Sequence, residues 1–243
     1  MASVIDDQKI PDKPPFTVGI DYFGPLNDKV GRSVVKRYGC LFTCLTTRAV
    51  HIEVAHSLTT DSFISAFQRF TSRRGIPEKV YSDNGTNLVS GESELRKYIE
   101  QWNRTKISSY MSHKDINCTF NPSNASHRGG VWEKMIRTTR KILRVLANEQ
   151  LLTDEKLLTF MAEAERIVND RPITLVSKDS RDLPVLIPNM LLLMKNNTSI
   201  PQGVFNEKDV YDKRWWKQIQ YLTNVFWRCW LREYLPTLQQ RNK

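Results

Sequence analysis

Apolar and polar positions alternate along the first part of the chain and then fall into a longer, helical period. Phe16 to Phe23 is a strand-like apolar run closed by Gly24-Pro25, and Arg37 to Leu45 is a second. Ala49 to Val54 sets apolar Val50, Ile52 and Val54 against polar His51 and Glu53, the period-two pattern of a third strand. Only Thr46-Thr47-Arg48 separates the second run from the third, which predicts a hairpin and antiparallel pairing. Thr60 precedes Phe63, Ile64, Phe67 and Phe70, so a helix capped at Thr60 and ended near Gly75 and Pro77 is expected. Lys79 to Ser82 reads as a fourth strand running into the turn sequence Asp83-Asn84-Gly85. A helix is expected over Glu92 to Trp102, a loop over Asn103 to Asp115, a short strand over Ile116 to Phe120, and a loop from Asn121 to Gly130. Two strong helices follow, Val131 to Asn148 and Thr153 to Asn169, with Arg171-Pro172 as the break. A Pro-punctuated stretch leads to about Gly203, and Asp209 to Tyr234 reads as a last helix. Antiparallel strands followed by βα units predict an α/β fold, a mixed sheet with helices on its faces.

Composition narrows the class. The 243 residues allow one large domain, or one with an appendage, and 40% hydrophobic with 26% charged residues is a globular balance. Lys and Arg outnumber Asp and Glu by 36 to 26, a net charge of +10 that favours polyanionic partners. The start, Met1 to Pro15, is polar, with no apolar core of a signal peptide. No run approaches the ~18 apolar residues of a membrane span, so no membrane partner and an intracellular site are expected. Four cysteines and four histidines lack zinc-ligand spacing; His51 and His56 are expected to be structural.

Three acids stand out by position. Asp21 interrupts an apolar strand, where an unpaired buried carboxylate is costly unless a cation removes the cost. A backbone-bonded aspartate at a strand end is the plainer reading. Asp83 opens Asp83-Asn84-Gly85 directly after the fourth strand; a tight turn explains it and also fixes a carboxylate at a sheet end. Glu133 opens a helix after Gly129-Gly130, where it could merely complement the helix dipole. At about 100° per residue, however, Arg137, Arg140 and Arg144 stay near its face, while Trp132, Met135, Ile136, Ile142, Leu143 and Leu146 lie opposite. One carboxylate leading three arginines is suited to a phosphate backbone, with Lys134 and Lys141 alongside.

Gly19-Ile20-Asp21-Tyr22-Phe23-Gly24-Pro25-Leu26, Tyr81-Ser82-Asp83-Asn84-Gly85-Thr86-Asn87 and Gly129-Gly130-Val131-Trp132-Glu133 closely resemble the integrase core of Pao/BEL-type LTR retrotransposons. Thr46-Thr47-Arg48-Ala49-Val50-His51, Arg74-Gly75-Ile76-Pro77, Asn169-Asp170-Arg171-Pro172-Ile173 and Pro188-Asn189-Met190-Leu191 look like the same family, and the resemblance covers roughly Pro14 to Lys195. It implies an RNase H-like mixed five-stranded sheet flanked by helices, with a C-terminal helical extension. It also implies that Asp21, Asp83 and Glu133 are the catalytic acids and the ligands of two Mg²⁺ (or Mn²⁺) ions. DNA is the implied partner, at element ends and target, bound by Arg137, Arg140, Arg144, Lys134 and Lys141. A nuclear site and a homo-oligomer when active are implied as well.

The expected organisation is a disordered segment 1–13, a catalytic domain 14–196, and a linker with an amphipathic helix over 197–243. In that helix Trp215, Ile219, Leu222, Phe226 and Trp230 share one face, and Lys213, Lys217, Asn224, Arg228 and Arg232 the other, which predicts docking on this domain or a C-terminal neighbour. No His-His-Cys-Cys zinc motif precedes the core, so a fragment of a longer element is expected. An RNase H-like nuclease that cuts without joining stays open as an alternative, as does an inactive, truncated DNA-binding remnant.

Overall fold

β1 (Thr17–Val30) contains the expected apolar run but does not stop at Gly24-Pro25. It passes through that cis peptide and continues to a tight turn at Gly31, where φ is 61°. There it pairs antiparallel with β2 (Ser33–Cys44), which starts earlier than the sequence predicts. Phe23 faces Gly39 and Leu26 faces Arg37, so β1 carries one extra residue at this point, a bulge. The bulge lets the strand keep Phe23 and Leu26 in one core despite the odd spacing. Gly39 is required at its place: a Cβ there would lie 2.0 Å from the Phe23 ring.

The computed structural model describes residues 16–82, 101–120, 138–143, 151–174, 185–194 and 215–239. β3 (Val50–Ala55) pairs antiparallel with β2 across the predicted hairpin. β4 (Lys79–Ser82) and β5 (Asn117–Phe120) join parallel on the other side of β1, giving the order β3-β2-β1-β4-β5. The long central strand β1 is thus the hinge between an antiparallel and a parallel half. This is the expected α/β fold with a mixed five-stranded sheet flanked by helices.

Helices cover both faces. On one, α1 (Thr60–Arg74) and α2 (Arg104–Ser112) pack Phe63, Phe67, Phe70, Ile107 and Met111 against Val18, Ile20, Tyr22, Cys40 and Phe42. On the other, α3 (Asp154–Asn169), a helical segment at 138–143 and α5 (Trp215–Gln239) pack against Phe23, Leu26, Leu41, Val50, Ile52 and Val54. A short α4 (Pro188–Leu193) follows α3 in the chain. No described helix is long and apolar enough to cross a membrane.

Several elements differ from expectation. The cap of α1 is Thr59, whose hydroxyl accepts the Ser62 amide, one residue before Thr60. Residues 103–115, expected to be a loop, contain α2: Asn103 caps it by accepting the Lys106 amide at 2.9 Å, and Ile107 and Met111, four apart, bury its inner side. α4 lies in the stretch expected to be irregular, with Pro188 in its first turn. Trp102, expected to end a helix, is buried and stands in a bend, its indole N–H donating to the Leu58 carbonyl at 2.8 Å. Most of the predicted helices over 92–102 and 131–148, and the start of the last one before Trp215, lie outside the described residues.

Candidate active site

Strand alternation decides where Asp21 points. Val18, Ile20 and Tyr22 belong to the core under α1, so Asp21 faces the opposite layer, where the 138–143 segment passes. One carboxylate oxygen, Oδ1, accepts the Tyr22 amide at 2.9 Å. The other, Oδ2, accepts from Arg140 Nη1 at 2.8 Å. Thr139, Ile142 and Leu143 are buried, which turns Arg140 toward the sheet and Lys141 outward. Lys141 pairs with Glu233 of α5 at 2.7 Å.

The side chains of Asp21 and Arg140 are only 18% and 15% exposed, so the pair sits in a partly dry environment. A carboxylate there needs a positive partner, and its oxygen suits a hard divalent cation as well as a guanidinium. Asp21 is thus a carboxylate that could hold a cation, and in this structure its cation is the Arg140 guanidinium. β4 ends beside it: Ser82 pairs with Ile20, the residue preceding Asp21. Asp83, Glu133, Lys134, Arg137 and Arg144 lie outside the described residues. Among the described residues no group of three His, Cys, Asp or Glu side chains converges on a metal position. The Asp21–Arg140 contact spans 119 residues, and no local sequence signal announces it.

Two further charge clusters, neither foreseen, serve the fold. His51 and Glu53 face α1 rather than solvent, bonded to each other at 2.9 Å. Arg69 and Arg73 hold Glu53, and Glu165 of α3 joins His51 and Arg74. Burial alone would favour neutral His51, but its bonds to Glu165 and Glu53 outweigh that and raise its pKa. Burial likewise opposes the charge on both carboxylates, yet His51 with Arg69 holds Glu53 low, and His51 with Arg74 and the Ile52 amide holds Glu165 low. His51 thus ties β3 to α1 and α3.

In the second cluster, Asp28 is fully buried on β1, and Arg37 Nε lies 3.4 Å from its Oδ2. Arg37 grips Asp154, in the first turn of α3, through two bonds of 2.8 and 3.0 Å. Burial, then the neighbouring Asp154, pushes Asp28 up to about 6. The bonds from Arg37, then the neighbouring Asp28 carboxyl, hold Asp154 well below the usual carboxylate range.

No family model and no curated protein matches the chain. Among solved structures it resembles a chain of the simian T-cell lymphotropic virus intasome in complex with PP2A regulatory subunit B56 gamma, at 12% identity and a TM-score of 0.47. That alignment covers 79% of this chain and spans only 59% of the length of the other. The catalytic core domain of BIV integrase aligns at 13% identity and a TM-score of 0.45, over 74% of this chain and 94% of that one. The HTLV-2 integrase catalytic core domain, in a trimeric form with magnesium, aligns at 16% identity and 0.40, over 68% and 90%.

Proposed function

We propose that the chain is the catalytic core of a DNA integrase, an Asp-Asp-Glu polynucleotidyl transferase of a Pao/BEL-type LTR retrotransposon, acting on element ends and target DNA in the nucleus. The observation that carries the reading is Asp21, an acid within the central strand of this sheet, beside the end of β4 and reached by an arginine of the facing helix. The motifs add Asp83, which follows Ser82 in the chain, and Glu133, seven residues before Arg140. Residues 14–196 form the catalytic domain in this reading and 197–243 a linker and helical extension.

Asp21, Asp83 and Glu133 would hold two Mg²⁺ or Mn²⁺ ions, whose chemistry is Lewis-acid stabilisation at both oxygens of an in-line displacement. Arg137, Arg140, Arg144, Lys134 and Lys141 offer cations to backbone phosphates and set the register of the DNA. No side-chain nucleophile is needed. In 3′-end processing a water oxygen bonds to phosphorus as the bond to the 3′ oxygen breaks, leaving a 3′ hydroxyl. In strand transfer that hydroxyl attacks a target phosphodiester and the target's own 3′ oxygen leaves. Joining two ends at a fixed spacing calls for at least two copies, hence a homo-oligomer.

A labelled oligonucleotide assay tests the reading. Wild type should cleave and join in Mg²⁺ or Mn²⁺, Asp21→Asn should do neither, and calorimetry should show Mn²⁺ binding lost in the variant with the fold intact. Equal Mn²⁺ binding by both proteins would sink the assignment. Cleavage without joining would make the chain a nuclease, and silence in every divalent metal an inactive remnant.

A further inference from the structure

The buried cluster of Asp28, Arg37 and Asp154 braces the root of a projecting arm. β4 stops at Ser82, paired with Ile20, whereas β1 runs on to Val30 and returns through Gly31-Arg32 into β2. The two strands therefore leave the sheet, at the end where β4 stops, as a ribbon. At its root the Lys29 amide donates to the Leu152 carbonyl at 2.8 Å, and Arg37 grips Asp154 of α3 through bonds of 2.8 and 3.0 Å. Past that brace every residue from Val30 to Val34 is exposed. The arm has one sign of charge: Lys29-Val30-Gly31-Arg32-Ser33-Val34-Val35-Lys36 holds three cations and no acid. Lys29 faces Val34 and Asn27 faces Lys36 across the ladder, so Lys29, Val34 and Lys36 share one side, with Arg32 at the tip. Lys36 also lines an open cleft of about 540 Å³ with Tyr38, His56 and Thr59, which leaves room for a phosphate backbone beside the ribbon. Val30 and Val34 are 45% and 57% exposed. A two-stranded ribbon fits the major groove of duplex DNA, where apolar side chains can meet thymine methyls and cations the flanking phosphates.

We infer that the β1–β2 ribbon is a second DNA contact, an arm seated in a groove of the duplex with Lys29, Arg32 and Lys36 on its phosphates. The inference rests on DNA as the partner in the proposed function and does not depend on metal at Asp21. At ~3.3 Å per residue the chain covers about 30 Å from Asp21 to Gly31. The tip thus meets DNA about nine base pairs from a bond held at Asp21, at 3.4 Å per pair. It positions the duplex and touches no reacting atom.

The test uses the full 243-residue chain and a fluorescent duplex, titrated in EDTA over a range of salt concentrations. Lys29→Gln/Arg32→Gln is compared with Lys79→Gln/Lys114→Gln, an equal charge change at the opposite end of the sheet, where β4 and β5 begin. Each phosphate contact adds about −0.9 to the slope of log affinity against log salt, so the ribbon variant should flatten the slope by about 2 and the control by less than about 0.5. Between about 50 and about 200 mM salt, wild type should lose about tenfold more affinity than the ribbon variant. Lys36→Gln should remove about one further unit, and Lys29→Arg/Arg32→Lys, which keeps both charges, should keep the slope. All three positions are exposed, so urea midpoints should match wild type. The single variants Lys29→Gln and Arg32→Gln, each worth about one unit, carry the test if the pair does not fold. Equal flattening by ribbon and control variants, or none by the ribbon variant, would overturn the arm while leaving DNA as the partner. A wild type that binds no duplex removes the DNA reading and the arm with it.

Discussion

Asp28 is a carboxyl group in the wrong solvent. It is fully buried, neither oxygen completes a hydrogen bond of normal geometry, and the neighbouring Arg37 is committed to Asp154. With its pKa raised to about 6, the folded protein retains a proton that the unfolded chain releases near the ordinary carboxylate value of about 3.9. In that window the native state binds more protons, so stability from this group falls as pH rises from about 4 to about 6 and stays lower above it. Asp154 acts oppositely: its depressed pKa contributes stability above the ordinary carboxylate value, lost only as pH falls below it. At about 1.4 kcal/mol per pKa unit, the Asp28 effect is at most about 3 kcal/mol. Asp28→Asn should therefore leave stability near wild type at pH 4.5 and raise it by about 1–2 kcal/mol at pH 7, read from urea midpoints. A wild-type midpoint no lower at pH 7 than at pH 4.5 would contradict this. The two aspartates of β1 differ in how visible they are. Asp21 is conspicuous because it breaks an apolar run, whereas Asp28 lies beyond Gly24-Pro25, where the apolar run closes. The partner of Asp21 was hidden for another reason: the arginine stripe is a local periodicity, but its meeting with β1 is a tertiary fact 119 residues long.

At the scale of elements, the sheet is open at β3, and an open edge exposes N–H and C=O groups to other strands. Side chains close it. Asn169, in the last turn of α3, accepts the Val50 amide at 2.8 Å and donates to the Val50 carbonyl at 2.7 Å, as a paired strand would. Glu165, one helical turn earlier, accepts the Ile52 amide at 2.9 Å, and Arg69 of α1 donates to the Val54 carbonyl at 2.7 Å. Asn169→Ala strips both partners from Val50 at a position the helix keeps dry. The cost should be about 2–4 kcal/mol, since each orphaned buried group costs roughly 1–3 kcal/mol. Hydrogen exchange should show the Val50 amide losing protection before the α1 face does; a loss below about 0.5 kcal/mol would mean that water replaces the amide. Elements with strong periodicity were legible: β3, β4, α1 and α3 lie within about a residue or two of expectation. α2 was not, because Arg-Thr-Lys-Ile-Ser-Ser-Tyr-Met-Ser offers only two fully buried apolar positions and many turn-forming residues. It becomes a helix because Ile107 and Met111 complete the α1 face, which is a property of the assembled core.

For the whole molecule, the decisive question is whether α5 belongs to the core or rides on it. Ile219, Leu222, Phe226 and Trp230 are all buried in the same cluster as α3 and the 138–143 segment, with Phe226 edge-on to Phe160 at 6.4 Å. Trp215, expected on that inner face, is 40% exposed, as is Trp227, so the apolar stripe starts one turn later than its sequence indicates. Polar contacts pin the helix along its length: Lys156 to Gln218 at 2.9 Å, Lys141 to Glu233 at 2.7 Å, and the Tyr234 hydroxyl to the Pro172 carbonyl at 2.9 Å. Each of the four buried side chains contributes roughly 1.5–3 kcal/mol by burial, or about 6–12 kcal/mol together. That is comparable to the entire stability of an ordinary domain, about 5–15 kcal/mol. A chain ended at residue 196 should therefore lose its cooperative unfolding transition, even though every catalytic candidate is retained. The milder Trp230→Ala should fold but lose about 3–5 kcal/mol, because a large ring leaves a cavity its neighbours only partly fill. Its local signature follows from the packing. Ile142 and Leu143 share this cluster and Arg140 stands next to them, so amide exchange across 138–143 should accelerate more than across α1 on the opposite face. A 1–196 chain that unfolds cooperatively near the wild-type midpoint would show instead that α5 is an accessory helix.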